Sequence, residues 1–366
     1  MPEIMSGDIL PARDAVAAID ITDLSPTIEI PPISEDANPE NISDEEREWL
    51  RAEIAKLKKE RNALILAHNY MPIDVQDVAD VTGDSLHLAK VGSESDADVL
   101  LEAAVLFMNQ ILAAKKKPHQ IVLMPDPKAL CSLAAHADVE KIRAWKIEHS
   151  KGVVVMYVNT YIEVKAEADF CCASANSPQV IEYVAKNYPD HDILFGPDVY
   201  LGLYAAKMLL GMGISIDRLW LQMGACHVHE RIRPGHLLEQ QKLHPEAASV
   251  GHMECGCQSA CLLPLSSGTE GKMRFLSTQQ MVKFAKETTA KEIIVATEVG
   301  NIYPMSKAAP DKTFIPASAE AICPFMKQNT LRKVYYSLRD LIYEVKVDPE
   351  LAAKAMRAID NMLRIT

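Results

Sequence analysis

Residues 64–70 read LILAHNY, an apolar run that ends in a polar triplet. The same form returns as VVVMYVN at residues 153–159 and as ASVGHME at residues 248–254. Short apolar runs that alternate with helical stretches are typical of strands in largely parallel α/β sheets. Three such strands at regular intervals predict an α/β fold made of three similar units.

The sequence around each of these strands follows the same order. The three runs end at Tyr70, Asn159 and Glu254, and 15 positions later come Ser85, Ser174 and Thr269. A second apolar run follows at residues 98–107, 192–198 and 292–298. Three hydroxyl residues at the same spacing from the strand ends favour an internal repeat over chance. The alternative is a chance match, because hydroxyl residues are common in loops between strands and helices.

A third apolar run in each repeat leads to a cysteine: Cys131, Cys226 and Cys323. These cysteines are 95 and 97 residues apart, so each repeat supplies one thiol. Three thiolates suit an iron–sulfur cluster that keeps one iron open, and an open iron can act as a Lewis acid. Ordinary buried cysteines are the alternative, because free cysteine packs well in cores.

Polar side chains at the strand ends form candidate site pairs. Residues two apart on a strand point to one face, and parallel α/β sheets bind ligands at the carboxyl ends of their strands. The pairs predicted to face one cavity are His68 with Tyr70, Tyr157 with Asn159, and His252 with Glu254. His229, three residues after Cys226, is a further candidate.

The bulk properties limit the classes of function. The chain has 366 residues, is 48% apolar and carries a net charge of −12. This acidity disfavours nonspecific binding to nucleic acids or anionic membranes. No apolar run has membrane-spanning length and the start does not resemble a signal peptide. Eight cysteines are too sparse for a disulfide scaffold, which favours a reduced cytoplasm.

The expected organisation is an extended N-terminal arm followed by three repeats. The arm covers residues 1–43, which are Pro-rich and acidic, and Ser43 with Glu46 predicts a capping box for the next helix. The repeats are expected at 44–133, 134–228 and 229–329. Two amphipathic stretches beyond Lys327, at residues 331–345 and 349–365, are predicted to be helices. Residues 330–366 are expected to join the first repeat.

Several longer segments resemble the quinolinate synthases, iron–sulfur enzymes of NAD biosynthesis. They are AHNYMPIDVQDVADVTGDSL, MPDPKALCSLA, YVNTYIEVKAEADFCCASAN, FGPDVYLG, GACHVHER, ATEVGNIYPMSKAAPDKTFIP and CPFMK, spanning about residues 60–340 in the family's order. The resemblance implies three pseudo-symmetric three-layer αβα domains around a central active site. It also implies one [4Fe–4S] cluster held by Cys131, Cys226 and Cys323.

The implied reaction condenses iminoaspartate, supplied by an aspartate-oxidising enzyme, with dihydroxyacetone phosphate to give quinolinate, phosphate and water. Tyr70 and Glu254 are the candidates for proton transfer. The expected substrate-binding residues are His68, Ser85, Tyr157, Asn159, Ser174, His229, His252 and Thr269. A homodimer is a further expectation.

The chain departs from the family's pattern in a few places. The segment that usually reads HPEC is His252-Met253-Glu254-Cys255 here. The Gly-Ser-Thr loop reads SSGTEG, which leaves Ser266, Ser267 and Thr269 as alternatives for ligand binding. Residues 105–110 read VLFMNQ and lack the family's acidic residue. Cys323 is not preceded by the CxxCxxC run of some relatives.

Two other classes of function remain open from the residues alone. One is an open-iron hydro-lyase acting on a small hydroxy acid, and the other is a non-enzymatic metal or iron–sulfur carrier. Cys255, Cys257 and Cys261 could bind a separate metal, while the adjacent Cys171 and Cys172 are interpreted as packing residues. Lys128 and Lys165 are interpreted as surface lysines outside the site.

Overall fold

The computed structural model describes residues 4–19, 22–257 and 273–365 as an α/β protein. Within these residues the strands form three separate sheets. The first sheet has the order β3-β2-β4-β5 and is parallel throughout. Its strands are β2 (Ala63–His68), β3 (Val81–Gly83), β4 (Val99–Ala103) and β5 (Ile121–Leu123).

The second sheet repeats this arrangement, with the order β1-β9-β8-β6-β7. Its strands are β1 (Ile9–Pro11), β6 (Val153–Tyr157), β7 (Phe170–Cys172), β8 (Ile193–Gly196) and β9 (Leu219–Gln222). All neighbours pair in parallel except β1, which pairs antiparallel with β9. Without β1, its order corresponds strand for strand to that of the first sheet.

The third sheet has the order β11-β10-β12-β13 and is also parallel. Its strands are β10 (Ala248–Gly251), β11 (Met273–Phe275), β12 (Glu292–Ala296) and β13 (Thr313–Pro316). In all three sheets the first strand of the repeat lies between the two strands that follow it along the chain. These first strands are β2, β6 and β10. This shared order confirms the α/β class and the repeated arrangement of strands. The short second strand, β3, β7 or β11, was not expected from the sequence.

Helices connect the strands of each sheet. The α-helices described are Ala12–Ala18, Asp44–Glu60, Ile73–Val78, Ser85–Glu94, Leu106–Lys115, Ser132–His136, Val139–Glu148, Ile162–Glu167, Ser177–Asn187, Val199–Gly211, Pro234–Leu243, Thr278–Glu287, Ile302–Ala308, Leu331–Asp340 and Pro349–Arg364. Short 3-10 helices lie at Glu35–Ala37, Pro39–Asn41, Val299–Asn301 and Met326–Gln328. Across the described ranges, no helix combines the length and apolar character needed to cross a membrane.

The helix that precedes the first sheet begins at the predicted cap, but only the Ser43 half of the predicted capping box forms, because the Glu46 carboxylate accepts hydrogen bonds from Arg332. The Ser43 hydroxyl accepts a hydrogen bond from the Glu46 N–H at 3.2 Å, which satisfies one of the unpaired donors of the first turn. Leu50, Ile54 and Leu57 are buried at i, i+4 and i+7, so one face of the helix packs inward.

The chain divides into two compact units. The smaller unit comprises Ile30–Cys131 and Ile322–Ala352 and contains the first sheet. The larger unit comprises the described residues up to Glu29, those of Ser132–Ala321, and those from Ala353 onward, and it contains the other two sheets. The helix Leu331–Asp340 thus shares a unit with the first sheet, whereas the described residues from Ala353 onward do not. The segment 330–366, expected to join the first repeat, is therefore divided between the units. The division into three domains remains a prediction.

Antiparallel segments cover the outer edge of the fourth strand in two sheets. β1 pairs with β9 in the larger unit, and residues 343–345 hydrogen-bond along β5 in the smaller unit. Covering an edge strand removes a surface on which other chains could pair. The N-terminal segment therefore has more regular structure than the extended arm expected for it. The helix expected over residues 331–345 ends at Asp340.

Candidate active site

The site residues expected from the sequence are distributed over both units. The smaller unit carries His68, Tyr70, Ser85, Cys131 and Cys323. The larger unit carries Tyr157, Asn159, Ser174, Cys226, His229, His252 and Glu254. Thr269 lies outside the described residues, as do Ser266, Ser267 and Cys261.

His68 and Tyr70 lie together at the end of the first strand of the smaller unit. Their rings meet edge to face, with centroids 4.6 Å apart and planes inclined by 73°. The Tyr70 N–H donates to His68 Nδ1 at 3.2 Å, so the neutral ring carries its proton on Nε2. Lys327 donates a hydrogen bond to the Tyr70 carbonyl and holds the turn. The pair thus offers a phenol and an imidazole donor from one strand end.

Ser85 and Ser174 follow the short second strands of their repeats. Ser85 is the first residue of the helix Ser85–Glu94, whose N-cap Asp84 accepts from the His87 N–H at 3.0 Å. Ser174 is buried and lies just before the helix Ser177–Asn187. Hydroxyls near helix N-termini suit carboxylate or phosphate groups. Ligand binding by these serines stays a prediction.

Glu254 is the centre of the polar cluster in the larger unit. It lies just after β10 with 2% of its surface exposed. His229 Nδ1 is 3.0 Å from Glu254 Oε2, while His229 Nε2 is 2.9 Å from the Thr297 hydroxyl. The Asn159 amide donates to Glu254 Oε1 at 3.2 Å, and Tyr157 hydrogen-bonds the same carboxyl group. The second and third repeats therefore meet at one carboxylate.

The surroundings of Glu254 keep it ionised. Burial works to raise its pKa, but the charge interaction with His252 and the hydrogen bonds from His229 and Tyr157 outweigh burial and lower the pKa to about 2. We assign the carboxylate form to Glu254 at neutral pH. The hydrogen bonds that His229 and Tyr157 donate to it do not depend on the charge of His252.

His252 is neutral beside this carboxylate. Burial lowers its pKa to about 4, although Glu254 opposes the shift. Its Nδ1 accepts from the Glu254 N–H at 3.4 Å, an arrangement that requires an unprotonated Nδ1. The His252 ring stacks on His229, with centroids 4.8 Å apart and planes inclined by 22°. The site thus pairs a carboxylate with two oriented imidazoles, which can accept and donate protons.

Cys226 joins this cluster. One ligand atom each of Cys226, His229 and Glu254 lie within 4.8 Å of one another, a spacing at which they could hold a metal ion. The backbone N–H of Cys226 donates to the side chain of Asp198, which also accepts from the Leu201 N–H at 2.8 Å. Asp198 therefore ties the cysteine loop to the start of the helix Val199–Gly211.

Asp198 was not predicted as a site residue. Burial, and then the charge of Glu254, raise its pKa well above the usual range, which favours the protonated form of Asp198 beside an ionised Glu254. The signal in the sequence is the FGPD segment at residues 195–198, where an acidic residue ends an apolar run. That segment contributed to the family resemblance but suggested no role for its aspartate.

The remaining described cysteines differ from the three predicted ligands. Cys131, Cys226 and Cys323 are half-buried. Cys171 and Cys172 are fully buried, and burial raises the pKa of Cys171 to about 11 and raises that of Cys172 well above its usual range. Because metal ligation requires thiolate, these two fit the packing role expected for them.

Cys255 and Cys257 form a disulfide directly after Glu254. The Gly256 N–H between them donates to the His229 carbonyl at 2.9 Å, so this loop lies against the segment that follows Cys226. A side chain at Gly256 would meet the Glu230 carbonyl at 2.2 Å, and only glycine fits there. Cys261, the third cysteine of the separate metal site considered for this run, lies outside the described residues, so that alternative stays a prediction.

The interpretation of Lys165 as a surface lysine is wrong. Its side chain is fully buried, and its amine donates to the Thr160 carbonyl in the turn that carries Tyr157 and Asn159. The segment IEVKAE does not show this burial, because a lysine on a six-residue helix gives no apolar pattern. Lys128 is exposed, as expected.

The fold and the site define an α/β enzyme whose centre combines a buried carboxylate, oriented histidines and a cysteine competent to bind metal. Residues 52–364 match the family described as NadA: Quinolinate synthetase A protein. The chain belongs to this family.

Individual relatives named quinolinate synthase agree with this assignment. The protein of Pyrobaculum aerophilum is 45% identical over 314 residues, covering 86% of this chain and 98% of its own. That of Thermus thermophilus is 43% identical over 318 residues, covering 87% and 98%. That of Mycobacterium tuberculosis is 39% identical over 324 residues, covering 88% and 90%.

Proposed function

We propose that this chain condenses iminoaspartate with dihydroxyacetone phosphate to form quinolinate, phosphate and water. The observation that carries the proposal is the Glu254 carboxylate, held by Tyr157, Asn159 and His229 beside Cys226 in a member of this family. Carbon–carbon bond formation, ring closure and dehydration all require proton transfers, and the ionised Glu254 has the protonation state of a base.

The proposed cofactor is one [4Fe–4S] cluster held by Cys131, Cys226 and Cys323. The donor chemistry fits, because each of these residues carries a thiol and is half-buried, neither enclosed in the core nor fully exposed. Cys171 and Cys172 have raised pKa values, and Cys255 and Cys257 are paired with each other. A cluster with three protein ligands supplies an open iron that can polarise a substrate oxygen.

The protein's own residues would bind substrate and move protons. Glu254 is positioned to accept a proton, and His229 orients the carboxylate through its Nδ1. The Tyr70 phenol is proposed as the second proton-transfer group. The expected carboxylate, carbonyl and phosphate contacts are His68, Ser85, Tyr157, Asn159, Ser174, His252 and Thr269.

The proposal extends to organisation and partners. Three αβα domains around one site would bring the strand ends of all three repeats to the same substrate, which the shared strand order supports. The substrate imine would come from an aspartate-oxidising enzyme, because it hydrolyses readily and must be used near its source. A homodimer and a cytoplasmic location complete the proposal. Eight cysteines are too few for a disulfide scaffold even with Cys255 and Cys257 paired, which supports the location.

An anaerobic preparation tests this function. Iron, sulfide and the visible spectrum should indicate one [4Fe–4S] cluster per chain, and quinolinate should form when both substrates are present. Omitting dihydroxyacetone phosphate should abolish quinolinate formation. Full iron and sulfide without quinolinate from both substrates would contradict the proposed reaction and favour the hydro-lyase alternative.

A further inference from the structure

The first two repeats share their local structure residue by residue. The helices Ile73–Val78 and Ile162–Glu167 each contain six residues and begin 89 positions apart. With the same offset, Asp80 accepts from the Ile65 N–H at 2.8 Å and Asp169 accepts from the Val154 N–H at 2.8 Å. Side chains at equivalent positions can therefore be compared directly.

In the first repeat a glutamine holds the turn that follows the site strand. Gln76 donates through its side-chain amide to the Asn69 carbonyl at 3.0 Å and to the Met71 carbonyl at 2.9 Å. These carbonyls flank Tyr70, one of the proposed proton-transfer residues. The side chain of Gln76 is buried, so the amide fixes the turn from the protein interior.

In the second repeat the equivalent residue is Lys165. Its amine donates to the Thr160 carbonyl, which is the counterpart of the Met71 carbonyl. Lys165 is fully buried, a costly position for a cation unless its hydrogen bonds serve the fold or the site. The two repeats therefore use different side chains to hold the same backbone carbonyl.

The turn held by Lys165 presents two of the groups that contact Glu254. The Thr160 hydroxyl donates to the Tyr157 carbonyl at 3.1 Å, and the Thr160 N–H donates to the Val158 carbonyl at 2.8 Å. Between them, Asn159 reaches Glu254 with its amide. A shift of the Thr160 carbonyl would therefore move the amide of Asn159 relative to the carboxylate.

We propose that Lys165 is a positioning residue, which orients Tyr157 and Asn159 by donating to the Thr160 carbonyl. The inference rests on the proposed function, because it assigns Lys165 to the substrate-binding side of that site. It acts through its hydrogen bond, so a glutamine at this position should serve as well. The first repeat shows that a glutamine on the equivalent helix, Ile73–Val78, reaches the equivalent carbonyl.

The test compares Lys165→Met, which removes the donor, with Lys165→Gln, which copies the first repeat. Lys186→Met is the matched control, because Lys186 lies in the same unit and its side chain is 60% exposed. Each anaerobically prepared protein is assayed for kcat and KM in quinolinate formation. Hydrogen exchange of the backbone around residues 157–161 is measured by mass spectrometry in parallel.

We expect Lys165→Met to raise KM about tenfold, with a smaller change in kcat, because misplaced binding groups weaken substrate positioning. Exchange around residues 157–161 should accelerate in that variant. Lys165→Gln and Lys186→Met should retain wild-type kinetics and exchange. If Lys165→Met does not fold, Lys165→Gln decides, and a folded glutamine variant with wild-type KM supports the assignment.

Other results would overturn the positioning role. Equal losses in Lys165→Met and Lys165→Gln would contradict a role through the hydrogen bond. Wild-type kinetics and exchange in folded Lys165→Met would remove Lys165 from the site, as would a fall in thermal stability without a change in KM. If wild type and Lys186→Met both fail to make quinolinate, the proposed function fails, and the exchange data still test the contact with the turn.

Discussion

Two buried glutamates of this molecule have opposite electrostatic environments. Glu102 lies in β4 of the smaller unit and is 1% exposed, and Glu254 lies just after β10 of the larger unit and is 2% exposed. Burial alone raises the pKa of Glu102 to about 8. Glu254 is buried to a similar degree, yet the groups around it lower its pKa to about 2.

The difference lies in the hydrogen-bond donors. Among the described residues, Glu102 Oε2 has no hydrogen-bond partner, whereas side chains of both the second and third repeats contact the Glu254 carboxyl. A carboxylate that is buried and kept charged by oriented side chains marks a functional site more strongly than burial by itself. Repetition of a strand order supplies the framework, and the residues at the strand ends supply the chemistry.

The largest effect is expected when the three proposed cluster ligands are compared with a buried cysteine outside the site. Changing Cys131, Cys226 or Cys323 singly to Ser should abolish quinolinate formation and lower bound iron, because each removes a proposed cluster ligand. Cys171→Ser is the control, since the thiol of Cys171 is buried with a raised pKa. Normal iron and turnover in any one of the three variants would refute that ligand.

The next largest effect is expected when each of the two glutamates is replaced by glutamine. Glu254→Gln should lower kcat by about a hundredfold or more, as is usual for general acid–base residues, while the iron content stays unchanged. Glu102→Gln should leave turnover close to wild type, because burial already keeps that carboxyl group neutral at pH 7. Similar losses in both variants would show that the comparison does not identify the active carboxylate.

A smaller effect is expected at the donor that reaches Glu254 from the second repeat. Asn159→Ala removes the amide that donates to Glu254 Oε1 at 3.2 Å. We expect KM to rise about tenfold or more, since Asn159 is a proposed substrate contact and a lost hydrogen bond to a charged group costs roughly 1.5–3 kcal/mol. Asn187→Ala, on an exposed helix end of the same unit, serves as the control. An unchanged KM would exclude Asn159 from substrate binding.

The sequence predicted the parts of the site that follow strand periodicity. The pairs at residues 68 and 70, 157 and 159, and 252 and 254 follow apolar runs whose ends are visible in the chain, and the last two pairs meet as expected. The strands β3, β7 and β11 have three residues each, too few to show a period. Lys165, Asp198 and Glu102 are buried by tertiary packing, which a local pattern does not record.

The last comparison of the two glutamates concerns stability. Glutamate at position 102 has an ordinary pKa of 4.5 and a folded-state pKa of about 8, so the folded protein keeps a proton that the unfolded chain releases. The associated stability is fully present below pH 4.5 and is lost as pH rises towards 8. The free energy of unfolding of Glu102→Gln, relative to wild type, should therefore increase by about 2 kcal/mol or more across this range.

Urea unfolding of both proteins at several pH values measures this difference. Glu102→Leu is a second variant that also removes the buried polar group, and it should show the same trend with pH. Parallel stability curves for wild type and Glu102→Gln would mean that Glu102 is already ionised in the folded protein.

The most direct test of the central claim is the stoichiometry of the products in one anaerobic reaction. Quinolinate and inorganic phosphate are quantified together after the cluster-containing protein is mixed with iminoaspartate and dihydroxyacetone phosphate. The proposed condensation predicts one phosphate for each quinolinate, with Glu254→Gln slowing the formation of quinolinate. Phosphate release without quinolinate, or quinolinate formed at the wild-type rate by Glu254→Gln, would contradict the account.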